Sequence, residues 1–287
     1  MTAKTVTRDM TKGSPMKLIL GFAVPLVFGL LFQQLYNMAD TMIVGQTLGE
    51  DALAAVGATG SINFLIVGFC IGLCTGFVIP VAQQFGAGDE RALRRYAANA
   101  IWLSAAVSVA ATATVVLLCR PILRLMQTPE NIFEDSYRYI LAIFIGIPAT
   151  VLYNLLAGFI RSLGDSKTPV LILTGAALLN IGLDLLFILQ FGWGVAGAAW
   201  ATVLSQVASA ALTLRCIVGS QGMPWHVRPE KLRLHGDVFA AICTIGVPAA
   251  AQSAMYNISN IFIQSSMNSF GTSTIAAWGV YGKIDFV

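Results

Sequence analysis

Apolar residues fill long, nearly unbroken runs along this chain. Seven complete runs lie at about residues 16–44, 53–85, 96–119, 137–160, 168–190, 195–218 and 238–267, and an eighth starts at 274. An α-helix needs roughly 20 apolar residues to cross a bilayer, whereas the strands of a membrane barrel are shorter and alternate polar with apolar residues. The pattern therefore predicts an all-α integral membrane protein, and we number its runs as spans one to eight.

The composition agrees with this pattern. Hydrophobic residues make up 56% of the chain and charged residues 11%, whereas soluble domains carry about 25% charged residues. The five cysteines lie in or at the ends of apolar runs without CxxC spacing, which indicates packing rather than metal binding. The segment GWGVAG (192–197) has dinucleotide-motif spacing but joins two spans. We expect no enzymatic activity, no cofactor and no nucleic-acid partner.

Positive charge is distributed unevenly between the two ends of the spans. The N-terminus and the loops near 86–95, 161–167 and 215–237 hold 13 of the 17 Lys and Arg residues, and the opposite loops hold only Arg120 and Arg124. Cytoplasmic loops of membrane proteins are enriched in Lys and Arg. The sequence therefore predicts a multi-pass protein with a cytoplasmic N-terminus.

The sequence contains an internal repeat. GEDALAAVGATGSINFL (49–65) aligns without gaps on GTSTIAAWGVYGKIDFV (271–287), with seven of 17 positions identical. Upstream, VPLVFGLLFQQLYN (24–37) falls on VPAAAQSAMYNISN (247–260). The period spans six helices, and an even number of helices per repeat keeps both repeats in the same orientation in the membrane.

The repeat predicts a division of the chain into lobes. We assign residues 1–15 to a cytoplasmic tail, 16–219 to an N-lobe of six transmembrane helices, 220–236 to a cytoplasmic linker, and 237–287 to the start of a C-lobe with helix 7 and part of helix 8. Because the second repeat ends early, we expect the chain to be a fragment of a twelve-helix protein and its missing C-terminal half to be a partner.

Four polar residues stand out inside the spans. Asp40 and Asp184 are carboxylates within complete apolar runs, where an aspartate costs about 2.5–3.5 kcal/mol on insertion scales. Counting 1.5 Å per residue places Asp40, Asn180, Asp184 and Thr202 in the outer half of the membrane. Asn180 and Asp184 also share one helix face. Such a group can bind a small cation or share a proton; the alternative is that these side chains only hydrogen-bond neighbouring helices.

Two further features concern the helices themselves. Pro25 removes one backbone hydrogen bond from span one, which predicts a bend there. Gly68, Gly72 and Gly76 lie on one face of span two, which predicts close packing against another helix.

Several segments together resemble one family. FAVPLVFGLLFQQLYNMADTMIVGQTLGEDALAAVG (22–57), LLAGFIRSLGDSKTP (155–169), LLNIGLDLLFI (178–188) and GVAGAAWATVLSQ (194–206) are similar, in order and spacing, to the multidrug and toxic compound extrusion (MATE) family. The resemblance runs from about residue 15 to the end. It implies two six-helix lobes around a cleft in a bacterial or archaeal inner (plasma) membrane, exporting small organic, often cationic, compounds in exchange for Na⁺ or H⁺.

The resemblance also implies roles for individual residues. It assigns the cation or proton coupling site, including possible Na⁺ ligands, to Asp40, Asn180, Asp184 and Thr202, and the lining of the surrounding cavity to Tyr36, Tyr139 and Asn154. It makes Pro25 the hinge of helix 1. Some branches of the family carry a coupling glutamate eight residues after the helix 7 proline, but here that position is Tyr256. Coupling is therefore expected to rest on the first lobe.

Two alternative functions remain at this point. A lipid-linked oligosaccharide flippase of related architecture would need several cationic residues for its pyrophosphate head group, whereas the complete spans contain cationic residues only near their ends, Lys17, Arg138 and Arg215. A non-transporting receptor or scaffold subunit would not need the two buried acids. The sequence therefore favours antiport, with membrane lipid and drug-like compounds as the molecules that the protein meets.

Overall fold

The computed structural model describes residues 13–219 and 236–284, without the side chains of 237, 256–257 and 282–284. All regular structure in these ranges is helical, so the predicted fold class is confirmed. The α-helices are α1 (Pro15–Leu48), α2 (Glu50–Ala87), α3 (Glu90–Leu125), α4 (Glu130–Ile145), α5 (Ile147–Ser162), α6 (Lys167–Leu185), α7 (Val195–Gly219), α8 (Gly236–Asn268) and α9 (Thr272–Ile284). A π-helical turn, Leu186–Gln190, extends α6.

Six helices of the described ranges are long and apolar enough to cross a membrane, or seven if α4 and α5 form one bent span. The predicted fourth span, 137–160, is thus not one straight helix, because α4 and α5 meet at Gly146 with a bend of 43°. Pro148 lies in the first turn of the second helix, where the N–H that its ring lacks is not needed for helical hydrogen bonding. A Cβ atom on Gly146 would lie 2.6 Å from Cγ2 of Val203. The absence of a side chain at Gly146 therefore lets α7 approach the break closely.

The helices extend beyond the apolar runs. The side chain of Asp89 accepts hydrogen bonds from the backbone of Arg91 and Ala92, so α3 begins with a capped polar turn before its apolar run. At its other end α3 includes Arg120 and Arg124, which were predicted to lie in a loop. Arg161 likewise lies in the last turn of α5. Loop positions taken from hydropathy alone were therefore wrong for these arginines, because helical hydrogen bonding continues past the hydrocarbon boundary.

Helix α2 is central to the packing. It contacts α3, α4 and α5 and also α8 and α9. A Cβ atom on Gly76 would overlap the Gly246 Cα of α8, and one on Gly72 would meet Ser253 and Ala250. The predicted close packing of the glycine face is confirmed for Gly72 and Gly76.

The predicted lobe boundaries fall largely outside the described residues. Residues 1–12, most of the linker (220–235) and the last positions of the repeat (285–287) are not described. Pro25 lies within α1, which runs without interruption from Pro15 to Leu48. Its role as a hinge stays a prediction.

Candidate cation site

Helix α6 supplies the two most deeply buried polar side chains of the candidate site. Asp184 is 0% exposed and Asn180 is 1% exposed. They lie one turn apart on the same face of the helix, which is directed into the bundle between α1 and α7. The surrounding α6 residues Leu178, Leu179 and Leu185 are exposed, as expected for a face that meets lipid.

Helix α7 brings Thr202 to this pair. The side-chain amide of Asn180 donates a hydrogen bond to the Thr202 hydroxyl, with 3.4 Å between Nδ2 and Oγ1. This contact joins two of the residues that depth counting had grouped. The Asn180 Oδ1 atom is buried and has no hydrogen-bond donor in the described part of the chain.

Helix α1 adds the second carboxyl group. Asp40 interacts directly with Asp184, carboxyl to carboxyl. Carboxylates only accept hydrogen bonds, so this contact becomes a hydrogen bond only when one of the two carries a proton. Without that proton, neither oxygen of Asp184 has a donor among the described residues. The pair therefore offers several inward-facing acceptor oxygens to a proton or a small cation.

Two tyrosines lie around the pair. Tyr36, one turn before Asp40 on α1, and Tyr139 of α4 both lie within electrostatic range of Asp40 and Asp184. Asn154 of α5 is partly buried, and its side-chain amide donates to the Thr150 carbonyl of its own helix at 2.9 Å. The contacts described for the chain thus place both tyrosines at the pair but do not join Asn154 to it.

An apolar layer lies one turn from the site on the side of the α1 C-terminus. Val44 follows Asp40 by four residues, Ile188 follows Asp184 by four, and Ala198 precedes Thr202 by four. All three are at most 5% exposed and belong to one buried cluster. We call this group the outer layer. It lies between the acids and the end of the bundle that carries the α1–α2 turn.

A cavity with both polar and apolar walls lies beside the acids on the face toward α8 and α9. It has a volume of about 290 Å³, and Tyr139 and Thr41, the residue after Asp40, form part of its wall. Asn63 of α2, Gln264 of α8 and Trp278 of α9 also line it. The cavity therefore lies between the predicted first lobe and the start of the predicted second lobe.

Gln206 of α7 was not identified as a site residue from the sequence. Its Oε1 atom is buried and has no hydrogen-bond donor in the described ranges. It follows Thr202 by one turn, on the side of the site away from the outer layer. A search for charged residues within apolar runs passes over a glutamine; a search for any polar side chain one turn from the site would have found it.

Comparison with known proteins places this geometry in a family. The model of the MatE family matches residues 25–186, more than half of the chain. The chain belongs to the MatE family. The resemblance drawn from the sequence motifs is thereby confirmed, and members of this family are transporters rather than enzymes.

Individual relatives agree over nearly the whole chain. The probable multidrug resistance protein YoeA of Bacillus subtilis (strain 168) is 31% identical over 97% of this MatE chain. A solved inward-facing conformation of a multidrug resistance MATE family transporter of the MOP superfamily is 26% identical, with a TM-score of 0.81 over 88% of this chain and 57% of its own. An outward-facing conformation is also 26% identical and has a TM-score of 0.84 over 94% of this chain and 60% of its own. The chain spans 62% of the length of YoeA.

Proposed function

We propose that this MatE chain carries the coupling lobe of a multidrug exporter. The exporter exchanges Na⁺ or H⁺ for small organic, mainly cationic, drug-like compounds across the inner membrane of a prokaryotic cell, with the N-terminus in the cytoplasm. The names of its relatives support multidrug transport, and the uneven charge of the loops supports the orientation. A second six-helix lobe, which the internal repeat and the length of the relatives both suggest, completes the cleft.

The observation that carries the coupling proposal is the Asp40–Asp184 pair. Two carboxyl groups from different helices interact in a place where the Asp184 oxygens have no described hydrogen-bond donor. Removing carboxylates from water is costly unless a counter-charge or proton accompanies them. A proton or Na⁺ at the pair removes this cost and draws α1 toward α6, so the occupancy of the pair is linked to the position of α1.

Drug and cation compete through that movement. When a cation or proton enters the pair from outside, the shift of α1 weakens drug binding and releases the compound. Drug binding from the cytoplasm then favours the state that lets the cation leave inward. One elementary charge moving through 100 mV supplies about 2.3 kcal/mol, enough for a gradient of roughly 50-fold in a neutral compound.

Asp184→Asn tests this function directly in cells. The change removes the titratable group and keeps its shape, so we expect loss of drug resistance in a strain without other exporters, with normal amounts of protein in the membrane. Asp135→Asn, on the exposed surface of α4, is the matched control and should protect cells as the unchanged protein does. Full resistance in cells carrying Asp184→Asn would refute the assignment. All of these assays use the full-length product of the gene.

A further inference from the structure

The buried surface of α7 continues beyond Thr202 with a second unexplained acceptor. Gln206 lies four residues after Thr202, about 6 Å further along the helix axis. Its Oε1 atom is shielded from solvent and receives no hydrogen bond from the described residues. A buried amide oxygen without a donor is costly in a membrane interior, where water is scarce. Such an oxygen calls for a ligand or an ordered water.

The register of α7 places Gln206 between the acid site and a buried tyrosine. Thr202, one turn before it, bonds to Asn180. Ala210, one turn after it, packs with Tyr153 and Ala157 of α5. Gln206 therefore shares a face of α7 with Thr202 and Ala210, at the level between the Asn180–Thr202 bond and the contact of Ala210 with Tyr153.

Tyr153 continues the series of polar residues formed by Thr202 and Gln206. It leads toward the end of the bundle that carries Arg161, which we call the basic end. Its hydroxyl donates to the Pro169 carbonyl at 3.3 Å. It also lies within electrostatic range of Tyr36 and of Arg161, which lies in the last turn of α5. Polar groups thus follow one another from the acid pair past Gln206 and Tyr153 to the end of the bundle where Arg161 lies.

The opposite direction has a different character. On the far side of the acids, α1, the π-turn and α7 all present residues of the outer layer, Val44, Ile188 and Ala198. An ion that leaves the pair in that direction meets only hydrocarbon groups of this layer. In the other direction it meets the free oxygens of Asn180 and Gln206.

We propose that Gln206 forms a second binding position for the coupling cation, through which the ion leaves the Asp40–Asp184 pair toward the basic end of the bundle. The ligand is a small monovalent cation, Na⁺ or a hydrated proton, because an amide oxygen binds either without adding a competing charge. The Asn180 Oδ1 atom bridges the two positions. This inference rests on the proposed antiport function and adds a route within the first lobe, separate from the cavity that faces α8 and α9.

The test compares variants of Gln206 in proteoliposomes. Drug-driven cation flux is followed with ²²Na⁺ and, in parallel, with a pH-sensitive dye, while drug binding is measured by fluorescence. Gln206→Leu removes the oxygen, so we expect cation flux to fall about tenfold, in line with the loss of one hydrogen-bond-like contact to a charged group. Drug affinity and its dependence on cation concentration should equal those of the unchanged protein, because the acid pair is intact.

Two comparisons separate an ion-binding role from a packing role. Gln206→Asn keeps a neutral amide oxygen and should retain more cation flux than Gln206→Leu, whereas Gln206→Met keeps only the length of the side chain and should behave as Gln206→Leu. Should the leucine variant fail to fold, the methionine variant provides the test. Gln190→Leu, at an exposed position of the π-turn, is the matched control.

The outcomes also distinguish this inference from the proposed function. Flux at the unchanged rate in Gln206→Leu or Gln206→Met, together with loss of flux in Asp184→Asn, would overturn the second position and leave the coupling pair standing. Unchanged flux in Asp184→Asn would overturn the coupling pair and the second position together.

Discussion

At the scale of single residues, the site consists of oxygens that need a partner. Asp184 and Asn180 are almost completely buried, and the side-chain amide of Asn180 donates a hydrogen bond to the hydroxyl of Thr202. That bond fixes the amide so that its Oδ1 atom is directed away from Thr202. The hydroxyl of Thr202 therefore acts both as a possible ligand and as the group that orients Asn180.

Thr202→Val tests this orienting role. Valine has the shape of threonine without the hydroxyl, so the Asn180 amide loses its acceptor and is no longer held in place. We expect the cation affinity, measured as the concentration that half-displaces bound drug, to weaken about tenfold. Thr202→Ser keeps the hydroxyl and should lie close to the unchanged protein. Equal affinities in the valine and serine variants would show that the hydroxyl has no such role.

The residues of the site differed in how far the sequence could predict them. Asp40 and Asp184 were singled out by their charge within apolar runs. Depth counting then grouped them with Asn180 and Thr202, because the rise per residue of a helix is fixed and the ends of the spans are marked by charge. Gln206 was missed because its partners depend on the rotation of α7 against α5 and α6, which hydropathy does not determine.

At the scale of helices and turns, the site lies beside two irregular elements. The π-turn Leu186–Gln190 begins directly after α6 and two residues past Asp184. Such wider turns within helices are frequent at functional sites. It carries Ile188 into the outer layer and Phe187 under Trp193, with 4.9 Å between their ring centroids. The π-turn thus contributes apolar side chains to the outer layer that covers one side of the acid pair.

Ile188→Ser tests whether the outer layer seals the site. A hydroxyl in place of a buried branched side chain admits water to the layer, so we expect cation leak through proteoliposomes without any drug present. Leu189→Ser changes the neighbouring residue, whose side chain is 60% exposed, and should show no such leak. Drug-free flux is measured with ²²Na⁺ and a pH-sensitive dye. If drug-free cation flux in proteoliposomes with Ile188→Ser equals that with the unchanged protein, the outer layer does not seal the site.

The break between α4 and α5 shows what a hydropathy pattern omits. The run 137–160 is mostly apolar and was predicted as one span, yet the helix breaks at Gly146. The pair Gly146 and Pro148 carries a local signal for a helix end followed by a helix start, which the run of apolar residues obscured. The bend angle depends on Val203 of α7 and was not predictable from either residue.

At the scale of the whole molecule, two sets of helices meet through small residues. Gly72 and Gly76 of α2 approach the backbone of α8 too closely for larger side chains. This contact joins the predicted first lobe to the first helix of the predicted second lobe. The solved MATE structures to which this chain is similar include an inward-facing and an outward-facing conformation.

Gly76→Ala tests the importance of that approach. The added methyl group overlaps the Gly246 Cα, so we expect the α2–α8 contact to separate and the melting temperature of the purified protein to fall by several degrees. Gly60→Ala, in the same helix but with no neighbouring atom within 4 Å, should match or exceed the unchanged protein, since alanine favours helix by about 1 kcal/mol. Equal melting temperatures would indicate that α2 and α8 pack less tightly in solution.

The architecture was more predictable than the contacts. Seven complete runs and their polar boundaries predicted the helices, and the glycine spacing predicted a close helix contact, because both depend on the local period of the helix. Contacts between distant segments determine which helix lies opposite Gly76. They also determine where the cavity between α2, α8 and α9 lies. No local pattern encodes these.

The most direct test of the account is drug-dependent cation flux in proteoliposomes that contain either the unchanged protein or Asp184→Asn. We predict that an imposed drug gradient drives Na⁺ or H⁺ in the opposite direction with the unchanged protein, and that Asp184→Asn abolishes this flux while still being present in the vesicles. Drug-driven cation flux of equal size with Asp184→Asn would contradict the assignment of coupling to the buried acid pair.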